Sequence, residues 1–391
     1  MNNFQYYAPT QVLFGKDTQK EVGALVASFG CKKALVHYGG KSAAKSGLLD
    51  RIYRSLDESG VSYVSLGGVV PNPRLAKIHE GIALCRKENV DFILAIGGGS
   101  VIDSAKAIGY GVVNDGEVWD FYEQKRTPTA CLPIGCVLTI AAAGSEMSDS
   151  SVVTNDNGVK RGYSNNICRL KFAVMNPELT FTLPAYQIAC GGVDIVMHTL
   201  ERWLDPKRTD SELTDHIAVA LIKTVIRNAL ILKDNPRDYN AASEIMWAGS
   251  LSHNGLTGCG GSGGDWSTHQ IEHELSGMFD VAHGAGLSAV WGTWARYVYK
   301  SLPARFAKLG VDVFGIAESN EEDAARLAID NMEAFFKSID MPISIHELGV
   351  DLTEEQVKEL AFRGSFFGKR KLGIFYPLDI SDLEAIYRAA K

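Results

Sequence analysis

Three of the nine histidines crowd into one short segment, DWSTHQIEHELSGMFDVAHGAG. His269 and His273 stand four residues apart, a spacing that puts both on one face of a helix. His283 follows after a Met-Phe-Asp-Val loop, just ahead of Gly284. Upstream, CGGVDIVMHTLERW repeats the four-residue spacing with Asp194 and His198. One carboxylate and one imidazole on a helix, facing imidazoles from another, make a site for a single divalent ion such as iron(II) or zinc, with no thiolate required. Taken singly, each histidine reads as an ordinary surface or core residue, but random placement seldom produces two such helical pairs. An ion held there acts as a Lewis acid, drawing charge from a carbonyl oxygen or lowering the pKa of an alcohol.

Two glycine clusters carry the second kind of chemistry. DFILAIGGGSVIDSAKAIGYG sets Gly97, Gly98, Gly99 and Ser100 between an apolar strand and a helix expected to begin around Val101. Glycines there allow close backbone approach, so amide groups at the helix start can face a diphosphate. The pattern is not the usual Gly-x-Gly-x-x-Gly, and a tight strand-to-helix turn without a ligand is the plain alternative. ALVHYGGKSAAKSGLL places Gly39, Gly40, Lys41 and Ser42 where the adenosine ribose of a dinucleotide would sit. No acidic residue is present there to bind ribose hydroxyls, whereas Lys41 and Ser42 suit a 2′-phosphate, so NADP(H) is expected over NAD(H). The alternative is a solvated lysine on a turn. With a nicotinamide to carry hydride, the ion to polarise oxygen and the protein to orient both, the residues describe a dehydrogenase.

The elements that must position these groups fall into two halves. In the first third, short apolar runs alternate with segments of helical period, the mark of βαβ units and a mostly parallel sheet. Lys32 to Tyr38 and Asp91 to Ile96 are the clearest strands, and each runs into a glycine cluster at what should be the carboxyl edge of the sheet. From Leu183-Pro184 onward strand-like runs become scarce, and Ala185 to Leu204, Leu213 to Leu232 and Glu321 to Ile339 keep helical spacing. The expected organisation is an α/β domain over residues 1–183 and a helical domain over 184–391, with Pro184 suited to a helix start.

A chain of 391 residues with 46% hydrophobic content is long enough for two cores. The excess of 46 acidic over 39 basic residues, a formal charge of -7, offers no general attraction to the phosphates of nucleic acid, which is not expected as a partner. No stretch approaches the roughly 20 apolar residues of a membrane span, and the start shows no basic-then-apolar leader. Seven cysteines without a Cys-x-x-Cys pair fit reduced thiols, so a soluble cytoplasmic protein is expected, with Cys131 and Cys136 in core packing.

The residues now resemble a known family, the iron-containing or group III alcohol dehydrogenases, and in particular their NADPH-dependent aldehyde reductase and butanol dehydrogenase branch. The resemblance runs through YYAPTQVLFG, YGGKSAAKSG, GGVVPNP, AIGGGSVIDSAK, LTIAAAGSEMS and LPAYQIACGGVDIVMHTLE to the histidine segment. It implies a Rossmann-like amino-terminal domain and an all-helical carboxyl-terminal domain, with substrate, metal and nicotinamide meeting in the cleft between them. It implies Asp194, His198, His269 and His283 as metal ligands, and His273 as the histidine beside the nicotinamide that relays a proton. Gly97 to Ser100 and Asp103 match the pyrophosphate loop, and Asn72, Thr139 and Lys160 match cofactor contacts. Relatives commonly have a third glycine where this chain has Lys41, and they are usually dimers or larger assemblies, so a homodimer is expected. The implied reaction is reversible hydride transfer between NADPH and a small aldehyde.

Three other readings remain beside it. A lyase like dehydroquinate synthase needs cationic anchors, and no lysine or arginine lies between Arg237 and Arg296. A non-enzymatic binding protein is disfavoured by the intact ligand positions. A polyol dehydrogenase of the same family differs only in its pocket, where Trp266, Phe279, Trp291 and Trp294 hint at an apolar lining or at simple core.

Overall fold

A computed structural model describes residues 1–208 and 211–391. The chain forms two compact units, one of Tyr7–Leu183 and one of Met1–Tyr6 with Pro184–Lys391.

The Tyr7–Leu183 unit is built on eight strands: β1 (Gln11–Phe14), β2 (Lys33–Tyr38), β3 (Ser62–Leu66), β4 (Phe92–Gly97), β5 (Ile134–Leu138), β6 (Ser150–Thr154), β7 (Lys160–Ser164) and β8 (Phe172–Met175). Six of them pair in the order β1-β8-β5-β4-β2-β3, and every pairing is parallel. Every residue of β4 and β5 is buried, as expected of strands covered on both faces, which is why they read as continuous apolar runs rather than alternating ones. The order reverses between β2 and β4, so the carboxyl ends of these two neighbours flank the crevice where open α/β sheets take ligands. Both glycine clusters lie there: Gly39 follows β2, and α1 (Gly99–Val113) begins two residues after β4 ends. The helix expected from Val101 thus starts earlier, at Gly99. Beside the mostly parallel sheet expected from the sequence, β6 and β7 form a separate antiparallel pair, with Thr154 opposite Lys160.

His37 ties the sheet to α1. Its ring is fully buried on β2, with Nδ1 2.9 Å from the Leu66 carbonyl and Nε2 2.9 Å from Ser104 Oγ. The carbonyl can only accept, so Nδ1–H donates to it and Nε2 accepts from the serine hydroxyl. Burial pushes the imidazole down from 6.5 to about 4. The folded state holds this ring neutral, so its contribution is complete above the unfolded value of 6.5 and is lost as the pH falls toward about 4. Unfolding in urea between these limits should cost wild type up to about 3 kcal/mol more stability than His37→Asn, whose side chain does not titrate. Parallel pH profiles for the two proteins would count against this.

The second unit is helical, with one isolated antiparallel bridge between Leu372 and Leu378 and no strand among the described residues. The helices that matter for the site are α2 (Ala185–Trp203), α3 (Tyr239–His253), α4 (Ser267–Phe279) and α5 (His283–Val298). Pro184 sits immediately before α2, and the expected helices further on appear as Glu212–Asp234 and Glu321–Ser338. The first six residues, assigned by the sequence boundary to the α/β half, instead pack here: Asn2 N–H donates to the Gly260 carbonyl at 3.3 Å, and Asn254 Nδ2 to Tyr6 Oη at 3.1 Å. Trp291 and Trp294 are core, not pocket lining. Both are fully buried, Trp291 edge-on to Phe336 at 6.0 Å and Trp294 against Phe306 and Phe375. None of the helices among the described residues is long and apolar enough to cross a membrane.

Candidate metal centre and dinucleotide cradle

Asp194 and His198 lie on consecutive turns of α2, and His269 and His273 on consecutive turns of α4. The expected Met-Phe-Asp-Val loop before His283 is shorter than the sequence suggested. Met278 and Phe279 still belong to α4, Asp280 ends it in the left-handed region (φ 55°), and His283 itself opens α5. Gly284 lets that helix start approach α2 closely: a Cβ there would lie 2.1 Å from the Cys190 carbonyl oxygen. His283 is thereby carried to the turn of α2 that holds Asp194.

The outcome is a set of imidazoles around one carboxylate oxygen. His198 Nδ1 is 3.5 Å from Asp194 Oδ1, and His269 Nε2 and His283 Nε2 are each 3.6 Å from it. These separations are too long for good hydrogen bonds. Asp194, His198 and His269 are buried, and their donor atoms all lie within 4.8 Å of one another. Burial, with the neighbouring rings of His253 and His269, pushes His198 well below the ordinary imidazole range, which keeps it neutral.

Two glutamates that the sequence reading passed over complete the arrangement. Glu201, fully buried on α2, accepts from His269 Nδ1–H and from the His269 backbone N–H at 3.1 Å. Glu272, fully buried on α4, accepts from His283 Nδ1–H. Carboxylates placed behind imidazoles fix the tautomer and aim the other nitrogen forward. Although burial opposes it, the charge of Glu201 raises the pKa of His269. Spacing held a usable signal: Glu201 is seven residues after Asp194 and Glu272 three after His269, so each shares a helix face with a candidate ligand.

His273 lies beside His283, and one donor atom each of Glu272, His273 and His283 lie within 4.8 Å of one another. His273 is buried, with its ring centre 6.3 Å from that of His269 and 5.7 Å from that of His283. On the other side, Trp266 caps α4 in the left-handed region (φ 63°), a strained conformation for so bulky a residue. Its ring contacts His198, His253 and His269, and the Arg202 guanidinium lies over it at 4.5 Å.

In the α/β unit, Val101 N–H and Ile102 N–H donate to the Gly98 carbonyl at 3.0 and 3.2 Å, so the amides that precede the first bond of α1 are those of Gly99 and Ser100. A Cβ at Gly98 would come within 1.9 Å of Ile140 Cγ2, so only glycine lets the segment after β5 lie so close. Thr139 N–H donates to the Gly97 carbonyl at 3.1 Å. Asn72 is buried with φ 53° in the segment after β3, where the Pro73 carbonyl accepts from Thr154 N–H at 2.9 Å. Lys160 is buried on β7, while Gly40, Lys41 and Ser42 are exposed beyond β2. Asp103 turns onto its own chain: Oδ1 accepts from Ser145 Oγ at 2.6 Å and Oδ2 from Val152 N–H at 3.0 Å, and burial pushes its carboxyl up against the pull of the Lys106 charge.

Residues 9–177 match the family model of iron-containing alcohol dehydrogenase, and residues 188–391 match the carboxyl-terminal model of the same family. The chain belongs to the iron-containing alcohol dehydrogenases. It is 36% identical to NADH-dependent butanol dehydrogenase A of Clostridium acetobutylicum over 99% of both chains. It is 30% identical to the NADPH-dependent aldehyde reductase YqhD of Escherichia coli over 100% of both. Among solved structures, NADH-dependent butanol dehydrogenase A of Thermotoga maritima superposes with a TM-score of 0.96 at 34% identity, covering 100% of this chain and 99% of that one. As an iron-containing alcohol dehydrogenase the protein is an oxidoreductase of a metal- and NAD(P)-binding family. Its relatives' names divide on the cofactor, NADH in one case and NADPH in the other.

Proposed function

We propose that this enzyme reduces small aldehydes with NADPH, reversibly, using one divalent ion, iron(II) or zinc, held by Asp194, His198, His269 and His283. The observation that carries this reading is the convergence of three imidazole nitrogens on Asp194 Oδ1 at 3.5–3.6 Å. Asp194 Oδ1, His198 Nδ1 and His269 Nε2 are buried without hydrogen-bond partners, and each such atom costs about 1–3 kcal/mol. A cation shared among them removes that penalty, and a nitrogen and oxygen donor set suits either ion. When bound, the ion supplies Lewis acidity to the substrate oxygen. Glu201 and Glu272 keep the Nδ1 protons of His269 and His283 occupied, which leaves each Nε2 for coordination. Glu201→Gln removes that charge without changing shape and should weaken metal affinity about 10–100-fold, read by competition with a chelator. Wild-type retention would mean that Glu201 only packs.

The Gly97–Ser100 segment and the first-turn amides of α1 bind the diphosphate. Gly39 and Gly40 make room for the adenosine ribose, and Asn72, Thr139 and Lys160 add cofactor contacts. Exposed Lys41 and Ser42, with no carboxylate in their turn, support a 2′-phosphate and hence NADP(H) over NAD(H). His273 supplies the proton to the product oxygen in reduction and removes it in oxidation. All seven cysteines are free thiols, in keeping with a reducing cytoplasm. A homodimer is supported by β1, which closes one edge of the sheet and offers a strand for pairing.

The test is loss of nicotinamide absorbance with butanal, using protein stripped by chelator and resupplied with zinc or iron(II). Activity that vanishes and returns with metal, and is stronger with NADPH than NADH, is the expected result. No oxidation with any metal, despite cofactor binding, removes the aldehyde reading. Equal or better activity with NADH removes the Lys41 argument alone.

A further inference from the structure

Lys106 lies on α1 and is fully buried. Its Nζ is surrounded by five oxygens: the Ser145 carbonyl at 2.7 Å and hydroxyl at 2.9 Å, the Ser148 carbonyl at 3.0 Å and hydroxyl at 3.2 Å, and the Ser150 carbonyl at 2.7 Å. An ammonium has three protons to donate, so the shell holds more oxygens than hydrogen bonding can use. Carbonyl and hydroxyl oxygens closing around one positive charge is the chemistry of a cation-coordination shell. Three carbonyls aimed at one point repel each other, and the positive charge at the centre offsets that repulsion.

Asp103, one helical turn before Lys106, pins the same segment from a second side. Its carboxylate accepts from Ser145 Oγ and Val152 N–H, and its backbone carbonyl accepts from Ser151 Oγ at 2.9 Å. The residues just before the turn face the start of α1 without slack. Ile140 Cγ2 stands 1.9 Å from where a Cβ on Gly98 would be, and Ala143 Cβ 2.8 Å from one on Gly99. Movement of the turn therefore changes the width of the diphosphate cradle directly, and displacements of about 1 Å in a binding constellation carry large penalties.

We propose that Lys106 is a positioning residue for the cofactor, a built-in monovalent cation whose removal leaves an oxygen cage that potassium or ammonium can fill. The positioning part rests on the assignment of the glycine loop as the dinucleotide site. The oxygens stand at distances that suit potassium and ammonium and are too wide for sodium.

The test uses metal-loaded, full-length Lys106→Ala, with NADPH binding followed by nicotinamide fluorescence in choline, sodium, potassium or ammonium chloride at equal ionic strength. In choline and in sodium the dissociation constant should rise about tenfold or more, and potassium or ammonium should return it to within about threefold of wild type, which itself ignores the cation. Without cofactor, the variant's thermal midpoint should rise in potassium. Lys106→Met, which fills the cage with an uncharged chain, should show the loss without the rescue. Unchanged affinity in choline, or a loss that no cation relieves with thermal midpoints equal in all salts, overturns the proposal. If wild type binds neither NADPH nor NADH while potassium still raises the variant's midpoint, the cage stands and the cofactor assignment falls. Should Lys106→Ala fail to fold, Ser148→Ala takes its place, removing one cage hydroxyl together with its 3.3 Å bond from Ser150 N–H. Its NADPH affinity should drop about threefold at an unaltered thermal midpoint, and wild-type affinity there overturns the proposal.

Discussion

Asp194→Ala should retain no divalent ion through gel filtration and should reduce butanal at least about 1,000-fold more slowly than wild type. Asp194 Oδ1 is the atom on which His198, His269 and His283 converge, and it brings the only negative charge among the four proposed ligands. Without it three imidazoles are left facing one another with no carboxylate among them, because Glu201 and Glu272 meet His269 and His283 on the far side of each ring. Lewis-acid assistance is worth several kcal/mol, and about 1.4 kcal/mol accounts for each factor of ten in rate. Metal content by elemental analysis, turnover and thermal midpoint together make the check. Because Asp194 is buried, Asp194→Asn serves as the shape-preserving control. A variant that loads one ion per chain and keeps its rate would remove Asp194 from the metal site.

His273→Ala should behave differently, with turnover about 100-fold or more below wild type and metal content close to normal. His273 shares a face of α4 with His269, yet its ring centre is 6.3 Å from that of His269, farther than the 4.6 Å between His198 and His269. The loss should fall on turnover more than on cofactor affinity, and the pH dependence of turnover should lose the limb due to the relay. Full activity across the pH range would end the relay assignment, whereas loss of metal would move His273 into the ligand set.

Much of the site was legible because helix geometry is local. Four-residue spacing alone places Asp194 with His198 and His269 with His273, whatever the helices pack against. The glycine clusters were legible for a related reason. A fully buried strand ending in glycine and followed by helical periodicity has few alternatives, and parallel strands put all such endings on one edge of the sheet. The structure sharpens these expectations by small shifts, such as α1 starting at Gly99 and α4 running on through Phe279.

What the sequence by itself determined is therefore which residues share a face and which strand ends carry the glycines. The tertiary structure decided which faces meet. The sequence analysis singles out none of Glu201, Glu272 and Lys106: spacing puts the two glutamates on the ligand-bearing faces, but only long-range packing buries all three. Trp291 and Trp294, which spacing left open between pocket and core, went to the core for the same reason. The antiparallel pairing of β6 with β7 and the packing of Met1–Tyr6 with the helical unit join segments through contacts that no sequence period records. Local rules fix a residue's neighbours within its own element. Only the close approach of separate elements, as at Gly284 against Cys190, turns those faces into a site.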